Sequence, residues 1–276
     1  MNRWSSRTRL LVGLALLVAS IGQAAVTDAR PRDRYVAMGD SFTAGPVIPV
    51  QVEPLGCMKS NRNYPNLVWA SLRGVAFRDL YAPQSISGGT NPAQLSKLTN
   101  RTTVVTLGIG GNDIGFTEII RNCAAPSPSP TPCQDRYVVD GVDEIGRRIR
   151  STAPKISAAI AAIERRAPNA RVYLVGYPQI LPNTGPGCWP SLPIKEDDVP
   201  YLRAKAKKLN SMLRKQTVTA GVGYVDTYGP SRGHSACALP TKRWVEPLAP
   251  ASPAAPVHPN ARGMAGMAEV VTAAVR

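Results

Sequence analysis

The chain has 276 residues, with 33 Lys+Arg against 18 Asp+Glu and a formal net charge of +15. At 43% hydrophobic and only 18% charged it is not intrinsically disordered, and its length buries a full core as one large domain or two small ones. Its basic residues are spread along the chain and aromatics make up only 6%, which argues against a nucleic-acid partner despite the charge.

Residues 1–25 open with Arg3, Arg7 and Arg9, continue in an apolar run from Leu10 to Val18, and end in the small residues Gly22, Ala24 and Ala25. That layout predicts a secretory signal peptide, because the apolar run falls well short of the roughly 20 residues that span a bilayer. Residues 26–276 are then the mature domain. Removing three arginines leaves 30 basic against 18 acidic residues, about +12 net, a charge that suits an anionic envelope or membrane surface.

Along the mature chain, short β-branched runs alternate with helical spacing. Tyr35–Met38 reads as a strand, Tyr64–Arg73 as a helix, and Phe77–Tyr81 and Thr102–Leu107 as strands. Ile156–Arg166 follows as a helix, Arg171–Val175 as a strand, Tyr201–Thr219 as a helix and Gly223–Val225 as a strand. A last helix runs from about Asn260 to Val275 after Pro259, and the proline-rich stretches Ala124–Pro132 and Glu246–Pro259 read as surface loops. This order predicts one α/β domain, a parallel sheet with helices on both faces. In such a sheet the chemistry belongs beyond the carboxyl ends of the strands, where the winding reverses.

An exported protein with five cysteines and neither a CxxC pair nor a zinc-spaced cysteine-histidine cluster favours disulfides over metal. Cys123 and Cys133 enclose a proline-stiffened loop and are expected to pair. Cys188 and Cys237 are then available to tie two long loops, leaving Cys57 over.

Three segments carry residues fit for chemistry. After the first strand, Gly39-Asp40-Ser41 places a serine where flanking glycine allows close approach, a position suited to a nucleophile or to an ordinary helix cap. After the Thr102–Leu107 strand, Gly108 to Asp113 fails the dinucleotide fingerprint, since the sixth position is Asp113, but it presents the Asn112 amide at a strand end. Of the two histidines, His258 precedes the last helix on a loop that can overhang the strand ends, whereas His234 reads as a surface or packing histidine.

Taken together, GDS at 39–41, GxND as Gly110-Gly111-Asn112-Asp113 and HPN at 258–260 resemble the SGNH, or GDSL, hydrolases over essentially the whole mature chain, nearest to the secreted actinobacterial lipases and esterases. The resemblance implies a flavodoxin-like αβα sandwich on a five-stranded parallel sheet, acting as a monomer on ester or lipid substrates without cofactor or metal. It also implies Ser41 as nucleophile, His258 as base, and an oxyanion hole of Ser41 N–H, Gly88 N–H and the Asn112 amide. Asp40 and Asp113 are expected to support the site structurally. Many members carry an aspartate three residues before the histidine; here that residue is Ala255, so its backbone carbonyl is expected to orient His258. At Ile86 close relatives carry a cysteine partner for the position of Cys57, which fits an unpaired Cys57. Trp189 and Trp244 are candidates for lining an acyl groove. The competing functions are a ligand-binding protein that has kept the fold without turnover, and a transacylase or carbohydrate deacetylase. A burst of alcohol from a short-chain aryl ester separates binding from turnover.

Overall fold

A computed structural model describes Met1 and residues 34–52, 57–71, 76–78, 93–124 and 131–276. The expected signal peptide after Met1, Gly88, Ile86 and the middle of the Ala124–Pro132 loop lie outside the described residues.

Five parallel strands form the sheet: β1 (Arg34–Gly39), β2 (Ala76–Arg78), β3 (Val104–Gly108), β4 (Arg171–Val175) and β5 (Gly223–Val225). Their spatial order is β2-β1-β3-β4-β5, the flavodoxin-like winding, in which direction reverses between β1 and β3. Tyr35 to Gly39 pairs in register with Val104 to Gly108, so the two strands end side by side at Gly39 and Gly108.

β1 and β3 are buried along nearly their whole length because both sheet faces are covered. Alternation divides their side chains. Val36, Met38, Val105 and Leu107 join one core with α6 (Glu144–Arg166) and α7 (Asp198–Ala220), through Ile149, Ile156, Ile160 and Leu213. Tyr35, Ala37 and Val104 join the other with α2 (Tyr64–Ser71) and α8 (Ala261–Val275), through Tyr64, Val68, Met264 and Val271. The result is a three-layer αβα sandwich.

Two two-stranded antiparallel ribbons (Gln51–Val52 with Lys59–Ser60, Val138–Val139 with Val142–Asp143) and four short helices complete the described fold: α1 (Ser41–Ala44), α3 (Ala93–Ser96), α4 (Phe116–Cys123) and α5 (Cys133–Tyr137). None of the four was expected from the sequence. α6 is also longer than its predicted second half, because it runs through Pro154. Its N-terminus is fixed by the Asp143 carboxylate, which accepts from Gly146 N–H at 2.9 Å, and by Glu144 paired with Arg147 and Arg148. Cys123–Cys133 and Cys188–Cys237 are disulfide-bonded as expected, and Cys57 is a buried free thiol.

Candidate active site

The switch point between β1 and β3 shapes the first part of the site. Gly39 ends β1 where any Cβ would lie 2.5 Å from the Gly108 carbonyl oxygen, so a larger residue would force the two strand ends apart. Asp40 follows, its N–H donating to that same carbonyl at 2.9 Å, and its carboxylate caps α1 by accepting from Phe42 N–H at 2.9 Å. Ser41 is therefore the first residue of a helix one turn long, closed by Gly45 in the left-handed conformation (φ 74°).

The second part comes from the far end of the chain. Ser41 Oγ lies 2.7 Å from His258 Nε2 across 217 residues of sequence. The loop that delivers the imidazole is anchored by Glu246, whose buried carboxylate accepts from Asn260 Nδ2 at 2.6 Å and from Ala251 N–H at 2.9 Å. Glu246 N–H in turn donates to the His258 carbonyl at 2.9 Å. Val257, buried with a φ of 59°, kinks the main chain just before the histidine. The ring packs against Phe42 (centroids 4.9 Å) and Phe116 (5.9 Å), and this burial lowers its pKa from the ordinary histidine value.

Asn112 and Ser41 line one cavity. Behind them, the Tyr177 hydroxyl accepts from Gly111 N–H at 2.8 Å and donates to the Asp40 carboxylate. Asp40 is 2% exposed, and burial pushes its pKa up to about 6 although that hydrogen bond pulls the other way. The carboxylate of Asp113 is enclosed and paired with Lys155 at 3.3 Å.

A serine hydroxyl on a histidine at the switch point, sharing a cavity with an asparagine at the next strand end, is the constellation of an acyl-transfer hydrolase. The family model of the GDSL-like lipase/acylhydrolases matches residues 37–265, which span every one of these side chains. The chain belongs to that family. It is 39% identical to Lipase 2 of Streptomyces coelicolor, over 98% of this chain and 95% of the relative. Among solved structures, phospholipase A1 from Streptomyces albidoflavus superposes with a TM-score of 0.76 at 26% identity, covering 88% of this chain and 100% of that one. An extracellular lipase from Streptomyces rimosus gives a TM-score of 0.75 at 27% identity, with 88% and 100% coverage. The chain is accordingly a carboxylic ester hydrolase of the GDSL family.

Within this GDSL site one expectation needs correcting. The acceptor for His258 Nδ1 is the Pro256 carbonyl, at 2.7 Å, and not that of Ala255. The Ala255 carbonyl instead accepts from the main-chain N–H of His258 at 3.1 Å, while Ala255 N–H donates to Pro46. The left-handed Val257 accounts for the change of partner, because the kink brings the carbonyl two residues back under the ring. No carboxylate contacts the imidazole among the described residues. Neither tryptophan lines the cavity: Trp189 lies beside the Cys123–Cys133 disulfide, and Trp244 packs under Gly263 and Gly266 with His234 stacked on it at 5.1 Å.

Two contributors to the GDSL site escaped the sequence reading. Tyr177 lies beyond the end of β4 with no motif around it, and only its place at a strand end could have marked it. The cavity walls come from the turn before α4 and from α4, α6 and α7, chiefly Ile114, Phe116, Ile119, Ile145, Leu202 and Leu209. α4 falls in a segment to which the sequence assigned no element, so Phe116 and Ile119 carried no periodic signal.

Proposed function

We propose that the protein hydrolyses esters with an apolar acyl chain through an acyl-Ser41 intermediate. The 2.7 Å contact between Ser41 Oγ and His258 Nε2 supports this reading above all. His258, neutral and oriented through Nδ1 by the Pro256 carbonyl, takes the Ser41 proton as the oxygen attacks the ester carbonyl. The developing oxyanion is held by the Ser41 and Gly88 N–H groups and the Asn112 amide. His258 then gives its proton to the leaving alcohol, and water repeats the sequence on the acyl-enzyme, releasing the acid. A carbonyl is neutral and stabilises imidazolium less than a carboxylate does, so the oxyanion donors carry more of the barrier reduction.

The acyl chain lies in the cavity beside Ser41, whose isoleucine and leucine walls offer it an apolar surface. The two disulfides, and the extracellular lipase among the similar structures, support a secreted protein.

Ser41→Ala should abolish both the hydrolysis of a chromogenic hexanoate ester and labelling by an organophosphonate, with the fold intact by circular dichroism. Residual activity above about a thousandth of the starting level would overturn the assignment of the nucleophile.

A further inference from the structure

α4 divides two spaces. Phe116 and Ile120, one turn apart, line both the apolar cavity and a groove on its other side, while Ile119 lines the cavity alone. Thr117 and Arg121, also one turn apart, line only the groove. Its opposite wall is Leu248 and residues 255–258, ending in the His258 imidazole. The groove thus begins at the group that protonates the leaving alcohol, while the cavity begins at the nucleophile and the Asn112 amide.

Arg121 is the one charged residue lining this groove, and its side chain is exposed. The nearby acid is Glu118, whose carboxylate is held by Arg148 at 2.9 Å. Arg121 acts on that carboxylate only through its field, and no ion pair to Arg121 forms among the described residues. Its Cα stands about 7.5 Å along the helix axis from that of Phe116, whose ring lies 5.9 Å from the imidazole. An arginine side chain bridges the remainder to an anion carried a few bonds beyond the ester oxygen. The planar guanidinium suits a phosphate, which it can bind through two parallel hydrogen bonds.

We propose that this groove is the leaving-alcohol subsite and that Arg121 selects esters whose alcohol carries an anionic phosphate. The assignment rests on the ester-hydrolase reading above and deepens it: the acyl chain occupies the cavity, and the phosphorylated alcohol departs along the groove past His258.

The test compares two soluble esters with the same acyl chain, 1-hexanoylglycerol and 1-hexanoylglycerol 3-phosphate, both kept monomeric so that no lipid surface contributes. Wild-type kcat/KM should favour the phosphate ester. Arg121→Ala should lower the phosphate-to-neutral ratio about tenfold and Arg121→Glu should lower it further, whereas Arg121→Lys should recover part of it. Arg150→Ala, the same charge change at an exposed position on α6 outside the groove, should leave the ratio unchanged. A wild-type ratio at or below one, an unchanged ratio in Arg121→Ala, or an equal fall in Arg150→Ala would overturn the subsite while leaving the ester-hydrolase reading standing. Failure of the wild-type protein to turn over either ester would overturn both.

Discussion

Burial holds the Asp40 carboxyl up at about 6 and draws the His258 imidazole below its ordinary value, so both groups gain their protons on the acid side of neutrality. His258 must be neutral to accept the Ser41 proton. Asp40 must be ionised to accept from both Phe42 N–H and the Tyr177 hydroxyl. Activity should therefore fall as pH drops, with the slope of log kcat/KM against pH steeper than one proton gives. Tyr177→Phe removes a hydrogen bond that holds the Asp40 pKa down, so its acidic limb should move toward neutrality. At neutral pH its kcat should fall about tenfold with little change in KM, because the Gly111 N–H loses its acceptor beside Asn112. A pH profile superposable on that of the wild type would show that Tyr177 fills space and does not position the two loops.

Among the elements, α6 shows why a helix can be half invisible. Pro154 reads as a start signal, yet the stripe Ile145, Ile149, Thr152, Ile156, Ile160, Ile163 continues straight through it, and burial of that stripe outweighs the missing hydrogen bond. Because residue 154 is exposed, Pro154→Ala should stabilise the protein by about 1–2 kcal/mol, the helix penalty of proline less its restriction of the unfolded chain. A higher urea midpoint at constant m would show it. The Cys188–Cys237 bond closes 49 residues of sequence across the loops flanking α7 and β5. Replacing both cysteines with alanine should cost about 4 kcal/mol on the chain-entropy account, read as a lowered urea midpoint. β1 and β3 were legible because strands buried on both faces are continuous apolar runs, here each ending at a glycine. α1, α3, α4 and α5 were not, since helices of four to eight residues offer at most two turns of periodicity.

At the scale of the molecule, Ser41, Asn112 and His258 could be singled out because each stands in a short motif next to a strand end or before a helix. Tyr177, Arg121 and the cavity walls have no such context, and their placement beside Ser41 and His258 emerges only once α4, β4 and the loop at 246–259 are packed together. The charge acts at this scale as well. The chain carries +15, about +12 with the expected signal peptide removed, so the Ser41→Ala variant should sediment with phosphatidylglycerol vesicles at low salt and be released as salt screens the attraction. Equal sedimentation with phosphatidylcholine vesicles, or retention at high salt, would point to apolar insertion in its place. The contact between His258 and the Pro256 carbonyl carries a further consequence for anyone mapping this enzyme by mutation. The atom that steers the base is main-chain oxygen, present whichever amino acid occupies position 256, so a complete scan of side chains would pass over it in silence. Only a change to the backbone itself, such as an ester in place of the 256–257 amide, would weaken that oxygen as an acceptor and expose the third partner of the pair.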